Sequence, residues 1–294
     1  MKSAIRLTTS DRLFHVIVNT CLLLILALFV IPIWSTITLS FRPNTFIGSA
    51  LDGMLLPPWE WSTAAYKALL GHRTFIISIF NSFRIFLEDV ASALFLTVPL
   101  AYLLSIKTLP GGKFLYGLVL VPYLFNVGLI PNYLLVSKLG LMDHLAAVYL
   151  PGAISVYNTL IMKSFFEGIP EELKESARID GASELAVLWK IILPLSKPIL
   201  LTIGLYYGVH FWNDFFNAML YINDSALQPL PILLRNILLS SGMNEYVEVN
   251  AFGEAPIAAI KAASVLLAAI PMLVAYPFIQ KYFVKGTMLG SVKG

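Results

Sequence analysis

The sequence predicts an all-α integral membrane protein with six transmembrane helices. Of its 294 residues, 58% are hydrophobic and only 13% are charged, whereas about a quarter of a soluble domain is charged. A spanning helix needs ~20 mainly apolar residues, and six stretches of the chain meet that length. They are Phe14 to Leu39, Phe75 to Ile106, Phe114 to Val136, Leu145 to Phe166, Ile199 to Ile222 and Ala262 to Phe283.

The first apolar stretch is expected to remain in the mature protein. It is too long for a secretory signal, and "IPIWSTITLSF" continues it without a small-residue cleavage site. Cys21, the single cysteine, lies inside this stretch and excludes an intramolecular disulfide. We divide the chain into a tail, first span and outer loop (1–74), a core of five spans (75–283) and a cytoplasmic tail (284–294).

Lys and Arg residues near the span ends predict the orientation. Most of the 20 Lys and Arg residues face the cytoplasm if the amino terminus lies inside, so both termini and residues 171–198 are placed there. The net charge of +3 reflects this inside-facing excess and gives no reason to expect a nucleic-acid partner. Two long outer loops remain, Arg42 to Thr74 and Asn223 to Lys261. In the first, Trp59 and Trp61 equally fit an interfacial aromatic belt.

Residues 171–198 predict two short helices joined at a glycine. Glu171 and Glu172 complement the positive end of a first helix, and Gly181 ends that helix. Ser183 caps a second helix, which Pro194 and Pro198 stop before the next span. The two helices are therefore expected to lie across the cytoplasmic face.

Small residues in the first of these helices suggest a surface that a partner approaches closely. Ala177 and Gly181 are spaced i, i+4 with Ser176 beside them, and Glu175 and Asp180 frame them with charge. The alternative is an amphipathic helix resting on the bilayer. Such helices favour Lys and Arg against anionic headgroups, so the acidic start of this helix favours a protein partner.

The stretch "ESARIDGASELAVLWKIILPLSKP" resembles the EAA loop of the permeases of ATP-binding-cassette (ABC) importers. Ser176 departs from the pattern, which usually has a second alanine at this position. The resemblance implies a coupling helix that docks into a groove of an ATPase subunit. The residues that match are Glu175, Ala177, Asp180, Gly181, Ile191, Leu193 and Pro194.

Further segments are similar to the sugar branch of these importers, in particular to the smaller permease of the maltose system. They are "FNSFRI", "AYLLSIK", "FWNDFFNAMLYIND" and "KYFVKGTMLGSVKG". "LIPNYLLVSKLGLMDH" and the tail are most similar to permeases for complex oligosaccharides, alginate importers among them. The resemblance implies the type I importer fold in a bacterial inner membrane. It also implies as partners a second permease, two ATPases that bind ATP and magnesium, and an extracytoplasmic solute-binding protein.

The outer loop after the fifth span corresponds, by this resemblance, to the loop that enters the cleft of the binding protein. Its Gly, Asn and Glu content suits an exposed loop. The candidate residues are Ser240, Gly242, Asn244, Glu245 and Gly253.

Polar residues in the second span are candidates for the substrate pathway, because such groups usually face a cavity or one another. Arg84 and Glu88 are one turn apart and can neutralise each other, which leaves Asp89 on the neighbouring face. Either Arg84 or Asp89 could instead line the pathway.

The fifth span combines aromatic and hydrogen-bonding side chains within three turns. Aromatic faces pack against sugar rings, while amides and carboxylates bind hydroxyl groups; an interfacial belt is the alternative. His210 has no second histidine at i+3 or i+4, so no metal site is expected. The candidates are Tyr207, Phe211, Trp212, Asn213 and Asp214.

Three classes of function remain to be compared. The chain contains no GxxxxGKS-type phosphate loop, so an importer subunit must receive its energy from another polypeptide and hold no cofactor itself. A secondary transporter driven by protons or sodium rests only on Glu88 and Asp89, and paired broken helices are not evident in the sequence. A membrane enzyme has no supporting motif.

The nature of the sugar stays open at this stage. Four basic residues fall at the outer side, and they would suit an acidic glycan such as a uronate oligomer. Basic residues are also common there in permeases for neutral sugars. The four are Arg42, Lys67, Arg73 and Arg84.

Overall fold

The computed structural model describes residues 9–46, 50–125, 127–239 and 255–290, and within these ranges the regular structure is entirely helical. The chain divides into two compact units. One comprises Met1–His72 and Ser240–Leu267, and the other comprises Arg73–Leu239 and Ala268–Gly294.

The first unit contains one long apolar helix and several short ones. Helix α1 (Thr9–Ser40) exposes apolar side chains along most of its length, as expected for a helix surrounded by lipid. It is followed by α2 (Ala50–Met54), a 3₁₀ turn (Pro58–Glu60) and α3 (Ala64–Gly71). The Trp34 indole donates a hydrogen bond to the Met54 carbonyl at 3.1 Å, and Phe41 stacks on Trp61. These contacts hold the segment after α1 against the end of that helix.

The second unit is built around three helices that pack together, α4 (Arg73–Ser105), α8 (Val156–Glu167) and α12 (Lys197–Trp212). Helix α12 approaches α4 closely through Gly204 and Gly208. A Cβ atom at Gly208 would lie 2.2 Å from the ring of Phe86, so only glycine fits here. Small residues are the usual means of close helix contact in membranes.

The remaining helices of the second unit are short. They are α5 (Gly112–Leu124), α6 (Leu129–Lys138), α7 (Ala146–Tyr149), α9 (Glu171–Ile179), α10 (Glu184–Val187), α11 (Leu193–Leu195), α13 (Phe216–Tyr221) and α14 (Leu230–Leu239). A π-helical turn (Leu188–Ile192) joins α10 to α11, and α15 (Ile257–Gly290) ends the described chain.

Three described helices are long and apolar enough to cross a membrane, and the number rises to five if each bent pair is one span. Segments α5 and α6 bend by 111°, and Glu184–Leu195 meets α12 at 84°. The fourth predicted span is interrupted by a 3₁₀ turn at Leu150–Gly152. Six spans therefore stays a prediction. The sequence shows no sign of these two bends, because a hydropathy window averages across a bend.

Candidate functional site

The helix pair expected between the fourth and fifth spans is present, and its ends are those that the sequence indicates. Gly181 has a φ of +82°, and the Ala182 N–H donates to the Ala177 carbonyl at 2.9 Å, as in a Schellman cap. The Ser183 hydroxyl accepts a hydrogen bond from the Ala186 N–H at 3.3 Å. The second helix ends at Leu195, between Pro194 and Pro198, and the chain bends by 84° into α12. Helix α9 and the segment Glu184–Leu195 are called the loop helices below.

Ion pairs occur within the first loop helix and between the two loop helices. Arg178 lies 3.0 Å from Glu171 and 2.8 Å from Glu184, and Lys174 lies 2.9 Å from Glu171. The hydrogen bonds from Lys174 and Arg178 hold the pKa of Glu171 below its ordinary value. Those to Glu184 and Glu171 raise the pKa of Arg178. Arg178 therefore stays charged and bridges the turn at Gly181.

A tyrosine ties the loop helices to α4. The Tyr102 hydroxyl donates a hydrogen bond to Oε2 of Glu184 at 2.5 Å, and Tyr102 itself is buried near the end of α4. Glu184 thus joins Arg178 on one side and Tyr102 on the other.

The outward surface of the loop helices is more apolar than the sequence pattern indicates. Ile179 is 86% exposed and Leu185 69% exposed, with Trp189 at 66% and Leu173 at 45%. Exposed apolar patches mark interaction sites, and large apolar side chains are exposed on both loop helices. We call these four residues the apolar set. In the sequence, Leu173, Ile179 and Leu185 each stand next to an acidic residue. The spacing of the small residues does not reveal these exposed apolar side chains.

The residues predicted for docking divide between two environments. Ala177 and Leu193 are half-buried and pack against the core of the second unit, so they face away from a partner. Glu175, Ser176, Asp180 and Gly181 are exposed, as is Pro194 on α11. Nothing lies within 4 Å of a Cβ atom added at Gly181. The positive φ is therefore what requires glycine there.

An open cavity of about 620 Å³ lies between the beginning of α8 and the middle of α12. Its wall combines aromatic rings with an amide, an imidazole and a hydroxyl, the groups that hold a sugar ring. The residues that line it are Gly152, Ser155, Tyr157, Asn158, Leu205, Tyr206, Tyr207, Val209, His210 and Phe211.

Tyr207 fixes the back of this cavity. Its hydroxyl lies 2.8 Å from the Thr97 hydroxyl of α4 and accepts a hydrogen bond from the Ser155 N–H at 2.8 Å. Because these bonds join α4, α8 and α12, Tyr207 holds three helices together. The exposed rings of Tyr157 and Tyr206 are the ones that a ligand would meet.

The other residues predicted for the pathway do not line the cavity. The Trp212 indole donates to the Ala268 carbonyl at 3.2 Å, and the Asn213 amide donates to Val209 at 2.8 Å. Asp214 accepts from the N–H and the side-chain amide of Asn217. Trp212 therefore contacts α15, whereas Asn213 and Asp214 make local contacts after the end of α12.

The polar residues of α4 occupy separate environments. Arg84 pairs with Glu88 at 2.6 Å, and the Tyr149 hydroxyl donates to Glu88 at 3.2 Å. Asp89 is fully buried, and neither of its carboxylate oxygens has a hydrogen-bond partner within the described chain. The residues predicted for the binding-protein loop, Ser240, Gly242, Asn244, Glu245 and Gly253, lie outside the described residues.

Residues 8–288 match the family model described as "Binding-protein-dependent transport system inner membrane component". Protein LplC of Bacillus subtilis (strain 168) is 41% identical over 98% of this chain and 97% of its own length. The polygalacturonan/rhamnogalacturonan transport system permease protein YtcP of the same strain is 40% identical over 97% of this chain and 99% of its own length.

A solved structure has the same fold. It is a crystal structure of a bacterial ABC transporter involved in the import of the acidic polysaccharide alginate. One of its chains superposes with a TM-score of 0.84 and 31% sequence identity, over 94% of this chain and 98% of that chain.

Proposed function

The chain belongs to the family of binding-protein-dependent transport system inner membrane components, a permease component of sugar ABC importers, and from this premise we propose its part in the importer. It forms one half of the translocation pathway, and a second, different permease forms the other half. Two ATPase subunits bind ATP and magnesium beneath the pair, and an extracytoplasmic binding protein delivers the sugar. The chain itself catalyses no reaction and holds no cofactor.

One observation carries this proposal, the exposed apolar set on the loop helices. Four large apolar side chains are exposed on the two loop helices, and the first of these helices opens with Glu171, Glu172 and Glu175. A membrane surface would favour basic residues around them, whereas a protein groove takes apolar anchors with a charged rim. The occupant is therefore an ATPase subunit whose groove combines an apolar floor with basic residues at its edge.

The ion pairs and the tyrosine link give this docking a mechanical consequence. When the two ATPase subunits close, the loop helices move with them. Arg178 and Glu184 keep the helices together, and the hydrogen bond from Tyr102 passes the movement to α4. Tyr207 passes it on from Thr97 of α4 to α8 and α12, around the cavity.

The cavity between α8 and α12 takes a sugar unit during passage. Its free aromatic faces, Tyr157 and Tyr206, pack against the ring, and His210 and Asn158 bind hydroxyl groups. We propose an acidic oligosaccharide as the substrate. Support comes from two relatives whose names or descriptions specify acidic glycans, polygalacturonan and alginate.

With the amino terminus inside, both termini and the loop helices lie in the cytoplasm. The span-end distribution of Lys and Arg supports this orientation. A cysteine placed in the carboxyl-terminal tail of a Cys21→Ser variant tests it. The tail should react with a membrane-impermeant thiol reagent in inverted vesicles and not in intact cells.

Reconstitution in liposomes distinguishes the importer from a secondary transporter. The chain alone should move no oligosaccharide down a proton or sodium gradient. Together with the second permease, the ATPases and the binding protein, it should move sugar only when ATP is present. Gradient-driven uptake by the chain alone would overturn the proposal and direct attention to Glu88 and Asp89.

A further inference from the structure

A second, smaller cavity of about 250 Å³ lies where the segment after α13 meets the first turns of α14. Four of its lining side chains are polar. Asn223, Gln228 and Asn236 supply carboxamides and Arg235 supplies a guanidinium group, beside the apolar side chains of Ile222 and Ile232. This composition differs from the largely aromatic cavity between α8 and α12.

The charge of Arg235 is available to a ligand. The side chain is exposed, and no ion pair to it occurs in the part of the chain that the structure describes. An arginine binds carboxylates through a planar fork of N–H donors. The neighbouring carboxamides of Gln228 and Asn236 each offer both a donor and an acceptor, which suits hydroxyl groups.

The wall of this cavity is held by hydrogen bonds from other parts of the second unit. Oδ1 of Asp143 accepts the N–H groups of Asn223 and Asp224 at 2.5 and 2.9 Å. The Asn81 amide donates to the carbonyls of Ala226 and Gln228 at 2.9 and 3.3 Å. The backbone of this wall is therefore held in place before a ligand arrives, which reduces the entropy lost on binding.

The cavity lies at the opposite end of α4 from the loop helices. The Leu230 N–H donates to the Ser82 hydroxyl at 2.8 Å, whereas Tyr102 contacts Glu184. About twenty residues of helix separate Ser82 from Tyr102, roughly 30 Å along the axis. Because the hydrocarbon core is about 30 Å thick, the cavity opens on the outer side when the loop helices are cytoplasmic.

We infer that this cavity is an outer subsite that binds one carboxylated sugar unit of the substrate. Arg235 pairs with the carboxylate, the carboxamides bind hydroxyl groups, and Ile222 and Ile232 pack against the ring. The cavity is smaller than the ~300–1,000 Å³ typical of sites for larger ligands, so it takes one unit of an oligomer. The inference rests on the proposed function, and it assigns the importer's selectivity for acidic sugars to this chain.

The test measures sugar binding to the complete transporter without the binding protein. The complex is placed in nanodiscs, and galacturonate trisaccharide is titrated with saturation-transfer NMR as the readout. Its full methyl ester is the matched ligand, since it differs by the loss of the carboxylate charges. Arg235→Gln removes the cation and keeps two N–H donors, whereas Arg235→Lys keeps the charge.

We expect the wild type to bind the trisaccharide at least about tenfold more tightly than its methyl ester, because a charged hydrogen bond is lost. Arg235→Gln should abolish that preference, and Arg235→Lys should restore part of it. Equal binding by the wild type and Arg235→Gln, or undetectable binding by the wild type at millimolar sugar, would overturn the inference.

A second arm separates a sugar carboxylate from a carboxylate of the binding protein. Docking of the sugar-free binding protein to the nanodisc complex should be the same for wild type and Arg235→Gln. Weaker docking of the variant, with unchanged sugar binding, would assign Arg235 to the protein contact and overturn the inference. Association of the ATPase is measured on the same samples. A result that rejects the sugar subsite while the ATPase still associates therefore leaves the proposed function standing.

Discussion

The Tyr102 hydroxyl lies 2.5 Å from Oε2 of Glu184, and this hydrogen bond connects the loop helices to α4. Glu184 also pairs with Arg178, so one carboxylate receives both a tyrosine and a guanidinium group. The arrangement connects the loop helices to α4 through a single carboxylate. Its role in coupling leads to the first prediction.

Tyr102→Phe should uncouple the transporter without detaching its ATPase. The change removes a hydrogen bond to a charged group, worth about 1.5–3 kcal/mol, and leaves the apolar set untouched. ATPase activity stimulated by the loaded binding protein should fall about tenfold, while co-purification of the ATPase stays normal. Tyr133→Phe on α6 is the matched control. Stimulated activity equal to that of the control would contradict a coupling role for Tyr102.

The stability of Gly181 variants should depend on backbone strain and not on side-chain size. Its φ of +82° is costly for most L residues, by about 1–2 kcal/mol, but less so for asparagine. Thermal unfolding in detergent should therefore show Gly181→Ala less stable than Gly181→Asn, although asparagine is larger. The reverse order would indicate that a neighbouring surface approaches Gly181 closely.

Gly208→Ala should loosen the contact between α12 and α4. The added Cβ would meet the Phe86 ring at 2.2 Å, and overpacking of this kind costs about 1–3 kcal/mol. Phe86→Leu should recover part of the lost stability in the double variant, as expected for residues in direct contact. Gly117→Ala on α5 is the control, since nothing lies within 4 Å of its added Cβ. Additive losses at Gly208 and Phe86 would argue against the close packing.

Asp143 should make a pH-dependent contribution to stability. The N–H groups of Asp224 and Asn223 lower the pKa of Asp143 below its ordinary value of 3.8. A depressed folded-state pKa stabilises the protein above the unfolded value, and this contribution is lost as pH falls through the lower folded value. Asp143→Asn retains a residue that tolerates the φ of 58°.

The measurement for Asp143 is the unfolding temperature of the complex in detergent between pH 3 and pH 6. Wild type should exceed Asp143→Asn at pH 6, and the difference should shrink toward pH 3. A difference that is constant across this range would show that the carboxylate charge does not contribute.

The features that the sequence predicts correctly are those with local causes. Gly181 ends a helix through its own φ, and Ser183 caps the next helix through a neighbour three residues away. Both signals act within one turn, so they are visible in the chain alone. The family motif in residues 175–198 likewise concerns a continuous stretch.

The features that the sequence does not predict depend on distant contacts. Whether Ala177 or Ile179 faces a partner is decided by which side of α9 meets the core. Tyr207 lines the cavity but also joins three helices through Thr97 and Ser155. Arg235 enters a cavity only because Asn81 and Asp143 position the wall around it. Interrupted spans escape a hydropathy window for the same reason.

Co-purification of the ATPase with Ile179 variants tests the central claim most directly. A charge at a buried interface anchor costs about 2 kcal/mol or more, roughly thirtyfold in affinity. Ile179→Glu should therefore retain the second permease and lose the ATPase, while Ile179→Leu and the distant exposed-site control Leu139→Glu should retain both. If Ile179→Glu brings down as much ATPase as wild type does, the loop helices are not the docking surface.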